Sequence, residues 1–263
     1  MALLFLLVSS AALVPPPEVP VTLCRRPVSA LAFTGADRHR FLHGLCTADV
    51  EAMKSGGGRT AAIVDAAGMT LDVITVVDGA KDGALIALTD QSRGADLLAF
   101  FDKYIFPADD VAVADVSGEF SCFEVLGPKA GKFCFALSEE LPPPPLPEPG
   151  DALRFAPSML VVGESILGSG DTRSFSLVTS STSSSSSSAS SASDESLEEA
   201  LRSAVLNAGG AIAPSWHALR IRRGLPARGS EFGAPHAPKA SPLSLGLWDT
   251  VDPDKVCAPF HSP

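Results

Sequence analysis

Three β-rich runs separated by two turn signals occupy residues 59–89, and no other feature restricts the possible folds as tightly. RTAAIVD (59–65) and MTLDVITVV (69–77) flank Ala66, Ala67 and Gly68, which read as a hairpin turn. DGAKDG (78–83) supplies a second turn before ALIALT (84–89), so the three runs predict an antiparallel meander. Ahead of the meander, VSALAF (28–33) reads as a strand, and GADRHRFLHGL (35–45) reads as a helix with Phe41, Leu42 and Leu45 on one face. Behind it, Leu97, Leu98, Phe101 and Ile105 recur at helical spacing until Pro107 stops them. VAVADVS (111–117) and FSCFEVL (120–126) return to a strand pattern. GPKAGKFCFAL (127–137) predicts a helix from Pro128, because proline suits a first helical turn. Strand groups with a helix on one face predict an α+β sandwich rather than a doubly wound sheet.

Two stretches interrupt this pattern. LPPPPLPEPG (141–150) is expected to be an extended linker or insertion between sub-domains. The serine tract at 179–193 has too little apolar surface to offset the entropy of ordering, and is expected to be a disordered surface loop. DESLEEALRSAVLNAGG (194–210) then carries every mark of a helix. It has acids in its first turn, Leu197, Leu201 and Val205 on one stripe, and Gly209 at its end.

With 263 residues, 46% of them hydrophobic, the chain can bury one large core or two small ones. A formal charge of -10 excludes a general nucleic-acid binder, which needs a basic face to neutralise phosphates. The five cysteines, Cys24, Cys46, Cys122, Cys134 and Cys257, lack CxxC spacing and are odd in number, as expected of reduced thiols. MALLFLLVSSAALVPPP at the start is too short to span a bilayer, so no stable membrane insertion is expected once it is removed. It suits a signal-type leader, and together with Arg25 and Arg26 residues 1–27 read as a bipartite signal and transit leader. Plastid import is the first reading and the mitochondrial matrix the alternative.

No phosphate loop, GxSxG elbow or HExxH stands out. His39 and His43 are spaced one helical turn apart, as metal ligands or as part of a solvated basic face. Arg220, Arg222, Arg223 and Arg228 gather in an otherwise acidic chain, beside Gly224, Pro226 and Gly229. Such a cluster can grip an anionic ligand tail with guanidinium forks, or it can be a solvated helix end. Asp49, just past the helix ending at Leu45, either faces a cleft or closes a turn.

Taken together, five segments resemble the YgfZ/GcvT family of folate-binding proteins. GADRHRFLHGLCTADV (35–50) is similar to the family's opening motif, FDKYIFPADDVAVADVS (101–117) to its central segment and LGPKA (126–130) to the turn that follows. WHALRIRRGLPARGSEF (216–232) resembles its "lRi … G-x-E" segment, and SPLSLGLWDTVDPDKVC (241–257) the approach to the YgfZ signature K-G-C-Y-x-G-Q-E. The wording is most similar to plastid YgfZ-type members. The resemblance implies a GcvT-type folate-binding domain over 28–257, built of ferredoxin-like α/β sandwich sub-domains. On this resemblance the family's C-terminal β-barrel is expected to be missing and 258–263 to form an atypical tail, as after a gene-model truncation. It also implies tetrahydrofolate, or a folate derivative, as cofactor. Asp49 takes the place of the acid that handles the folate nitrogen, and Arg220 and Glu231, with Arg222 from the arginine cluster, line the folate cleft. Lys255 and Cys257 fall on the first and third positions of the signature, whereas Val256 and Ala258 depart from it. The implied function is that of an accessory protein for iron-sulfur cluster assembly or repair, with iron-sulfur proteins or assembly factors as partners. The alternative is a folate-dependent aminomethyltransferase resembling the glycine-cleavage T-protein, and a third possibility is an inactive product.

Overall fold

A computed structural model describes residues 19–53, 56–81, 83–138, 144–156, 158–168, 173–180, 190–233 and 238–255. After β1 (Thr22–Arg26), the chain runs through β2 (Val28–Thr34), α1 (Arg38–Leu45), β3 (Gly57–Val64), β4 (Thr70–Lys81), β5 (Ala84–Asp90), α2 (Gly94–Asp102) and β6 (Ala112–Asp115). The same succession then repeats as β7 (Phe120–Leu126), α3 (Ala130–Ala136), β8 (Gly150–Ala156), β9 (Met159–Val162), β10 (Phe175–Ser180), α4 (Ser190–Asn207) and β11 (Ala211–Ile212). A last helix, α5 (Trp216–Arg222), precedes an irregular C-terminal segment with two short 3₁₀ turns. Each half is therefore β-α-β-β-β-α-β, the expected α+β sandwich written twice.

The strands form one curled sheet in the order β11-β1-β7-β10-β9-β8-β3-β4-β5-β2-β6. The halves join where the first strands of the two meanders pair antiparallel, Gly57 with Asp151 and Gly58 with Gly150. Gly58 is required there, since a Cβ would sit 2.8 Å from the Val162 side chain. The curl folds one half of the sheet over the other. Ala30, Ala32, Ile86 and Leu88 of the first half share a core with Cys122, Leu160, Val162 and Val178 of the second. Alternate residues point the other way, onto helices. Leu31, Phe33, Leu85 and Ala87 pack with Leu42, Leu45, Leu97 and Phe101, while Phe123, Val125, Phe175 and Leu177 pack with Phe133, Leu201 and Val205. Both faces of the central strands are thus buried, which is why β5 and β7 read as nearly continuous apolar runs instead of alternating.

Several boundaries differ from the sequence expectation. Residues 22–26, assigned to the leader, are β1, which pairs antiparallel with β7 and parallel with β11. Val21 and Leu23 belong to the second core, and Arg26 is buried against the seam. The hairpin at Asp65–Met69 forms as expected, but β4 continues to Lys81, so the second turn is tighter than 78–83. α2 ends at Asp102, and Ile105 lies in a turn held by the Asp109 carboxylate on the Phe106 amide. α3 starts at Ala130 rather than Pro128, and the Lys129 amide ahead of it donates to the Pro20 carbonyl. Within 141–150 the first three residues lie outside the described ones, and Gly150 opens β8. The remainder packs onto its own sub-domain, with Leu146 against the second core. The serine tract 179–193 is strand through Ser180 and helix from Ser190, and 181–189 lie outside the described residues.

Candidate functional site

Where the two halves meet, a cleft enclosing about 770 Å³, its open mouth included, is walled by residues from five elements. Arg26 comes from the end of β1, Asp72 and Val73 from β4, Asp90 from the end of β5, Arg93 from the N-terminus of α2, and Trp216 and Arg220 from α5. The turn after α5 closes it with Leu225, Ala227 and Arg228. A volume of this size suits an organic ligand.

The polar walls are held by bonds that fix their direction. Arg220, 3% exposed, donates to the Glu231 carboxylate at 2.9 Å and to the Leu225 carbonyl at 3.1 Å. Glu231 also accepts from the Ala227 amide at 2.8 Å, so one ion pair ties α5 to the Gly224–Gly229 turn and presents Arg228. Arg228 in turn donates to the Leu71 carbonyl of β4 at 3.3 Å. Desolvation pulls Glu231 towards its neutral form, yet the Ala227 amide and Arg220 outweigh it and hold the carboxyl below its usual range. On the facing wall Asp72 is 5% exposed. It accepts from the Val73 amide at 2.8 Å and the Thr89 hydroxyl at 2.9 Å, and Arg93 lies at 3.3 Å. Burial nevertheless dominates and pushes the Asp72 carboxyl above its ordinary value.

Behind the cleft lies a fully buried ion pair. Glu124, 0% exposed, accepts from Ser165 at 2.6 Å and Ser176 at 2.7 Å and faces Arg26 at 3.5 Å. Arg26 also donates to the Thr75 hydroxyl at 2.9 Å and the Leu88 carbonyl at 3.3 Å, which joins both halves of the sheet through one guanidinium. Its carbon lies 5.8 Å from the Trp216 ring centre, so the same group steadies the aromatic wall.

The residues singled out from sequence divide into two places. Arg220 and Glu231 come together at the cleft, whereas Arg222 is exposed on the outer side of α5. Asp49 is not among the residues lining this cleft. It caps a turn through the Ala52 amide at 3.0 Å and faces His43 at 3.1 Å. That amide bond is the largest influence lowering its carboxyl pKa, with His43, Arg59 and Lys255 acting in the same direction. Lys255 donates to the carbonyls of His43, Cys46 and Ala48, so its ammonium caps the C-terminus of α1. Cys257 lies outside the described residues. His39 reaches the Asp78 carboxylate at 3.3 Å, and among the described residues no cluster of metal-ligating groups forms. The four described cysteines are buried, and no disulfide forms among the described residues.

Asp72, Arg93, Trp216 and the Arg26–Glu124 pair went unnoticed in the sequence. A signal was present for two of them: Asp72 and Glu124 are carboxylates inside strand runs otherwise made of apolar residues, MTLDVITVV and FSCFEVL. Such residues require buried partners.

Comparison with known proteins agrees with this architecture. The family model of the GCVT N-terminal domain matches residues 27–142. A chloroplastic protein of Arabidopsis thaliana, named as a transferase, is 24% identical over 226 residues, covering 85% of this chain and 47% of that protein. The crystal structure of glycine cleavage system aminomethyltransferase T from Bartonella henselae superposes with a TM-score of 0.64 at 14% identity, covering 86% of this chain and 56% of that one. The chain therefore spans about half the length of the relatives it matches. With a GCVT N-terminal domain match in its first half and the fold of aminomethyltransferase T over most of its length, the chain is similar to GcvT/YgfZ-like proteins.

Proposed function

We propose that this protein binds a tetrahydrofolate in the cleft between Asp72 and Arg228 and serves as an accessory factor for iron-sulfur cluster assembly or repair in the plastid. The observation that carries the folate reading is the meeting, in one cleft, of a buried carboxyl, an aromatic ring and several guanidinium groups. These residues fit the ligand's chemistry. A pterin offers donors to a carboxylate such as Asp72 and a flat ring to Trp216, and a glutamate tail offers carboxylates to Arg93 or Arg228. Supplied with a reduced folate, the site would have a one-carbon carrier beside a carboxyl able to take or give a proton.

The accessory role rests on the K-x-C trace at Lys255 and Cys257, and the plastid location on the chloroplastic relative. A folate-dependent aminomethyl transfer is the second reading. It is favoured by Asp72, a carboxyl at the cleft wall whose pKa burial raises above the ordinary carboxylate value, as suits a general acid or base. Complementation of a bacterial strain lacking its own YgfZ protein, scored by the activity of an iron-sulfur enzyme, separates the two. The accessory reading expects Cys257→Ser to fail and Asp49→Asn to retain part of the function. Full rescue by Cys257→Ser overturns it in favour of the transferase.

A further inference from the structure

A second cleft opens on the other side of Ile166 and Leu225, residues that it shares with the folate cleft. Its walls are of a different character. Glu164 and Asp249 both line it and both line the adjoining cavity of about 650 Å³ beside Arg59 and Asp252. Arg59 is already engaged with Asp252 at 3.2 Å, and Arg223 lies on the exposed rim. Neither Glu164 nor Asp249 has an ion-pair partner among the described residues. Burial, and then the nearby Asp249 charge, push the Glu164 carboxyl above its ordinary value, as expected of a carboxylate that lacks a cation.

An independent observation comes from β3. Thr60 lines both cavities and is 9% exposed, and its hydroxyl oxygen is buried without a hydrogen-bond partner among the described residues. Along β3 the neighbouring Ala61 and Ile63 belong to the core beneath α1 and α2, while Gly58 faces Val162 at the seam. Strand alternation therefore turns Thr60 to the inner face, towards the cavities. A buried hydroxyl left unsatisfied beside unpaired carboxylates is costly unless something binds to them.

We infer that Thr60, Glu164 and Asp249 form a binding site for the primary ammonium group of a small organic amine. A primary ammonium brings three N–H donors and one positive charge, one donor for each of these acceptors. A divalent cation fits less well, since no group of three metal-ligating side chains forms among the described residues. The site stands apart from the folate cleft, so its test does not depend on folate binding.

The test is a calorimetric or ligand-observed NMR titration of the full chain with n-butylammonium chloride, alongside tetramethylammonium chloride and magnesium chloride. The expected result is millimolar binding of n-butylammonium only. Glu164→Gln should weaken it about tenfold or more and Thr60→Val severalfold, in line with the loss of one charge-assisted and one neutral hydrogen bond. Asp249→Asn, an exposed position that leaves the fold undisturbed, should weaken it as well. Arg228→Ala, in the other cleft, should leave amine binding unchanged. Equal binding of tetramethylammonium, preferential binding of magnesium, or n-butylammonium affinity unaffected by both Glu164→Gln and Asp249→Asn would overturn the assignment.

Discussion

Replacing Glu124 by glutamine tests whether the buried ion pair holds the two halves of the sheet together. The substitution keeps the shape and leaves a carbonyl for the Ser165 and Ser176 hydroxyls, but it removes the carboxylate that, among the described residues, is ion-paired with the buried Arg26. Arg26 then keeps the Thr75 hydroxyl and the Leu88 carbonyl, neither of which carries charge. Leaving one partner of a buried pair uncompensated costs about 3 kcal/mol or more. For a domain of this size that corresponds to a fall in Tm of roughly 6 to 12 °C. Differential scanning calorimetry of Glu124→Gln at neutral pH measures it directly. The double change Arg26→Met with Glu124→Leu removes both charges and should be more stable than either single change, because the desolvation cost disappears with the pair. A Tm within about 2 °C of the native protein for Glu124→Gln, or a double variant worse than both single ones, would refute the reasoning.

Three further outcomes follow from the same geometry. Asp72 has a folded-state pKa above its unfolded value, so its contribution favours the native state below the unfolded pKa and is lost as pH rises through the folded one. The Tm difference between Asp72→Asn and the native protein should therefore move in favour of the variant as pH is raised from about 4 to 7, as followed by thermal melts; a pH-independent difference contradicts it. Lys255→Met removes the ammonium that caps α1 and should lower stability by about 1 kcal/mol in urea titrations, with no change in the slope. Cys24, pushed up to about 11 by burial and the Glu124 charge, and Cys134, pushed up to about 12 by burial, should resist a thiol reagent at neutral pH until the chain is unfolded.

Local structure was legible where a single element decides it. The meander, the hairpin turn at Asp65–Met69 and the helix stripe at Leu197, Leu201 and Val205 follow from periodicity, and each is present. The halves could also be read as two α+β units, since the order of elements repeats. What periodicity cannot supply is the partner of a short strand. TLCRR has no alternation to distinguish it from a leader, and it becomes β1 only because β7 and β11 offer it both edges. The arginine cluster was visible as charge, and one of its members, Arg220, pairs with Glu231. That Asp72 and Arg26 share one cleft was not legible, since they are distant in sequence and meet there only through the curl of the sheet.

The most direct test of the account is calorimetric titration of 5-formyltetrahydrofolate into the native protein and into three variants. Two of them, Asp72→Asn and Arg228→Ala, alter the cleft wall, while Asp49→Asn alters the turn beside α1. Binding to the native protein should weaken about tenfold or more in each cleft variant, as expected for loss of a charge-assisted contact, and stay unchanged in Asp49→Asn. No heat with the native protein at millimolar ligand, or an affinity lost in Asp49→Asn and kept in both cleft variants, would contradict a folate site between Asp72 and Arg228.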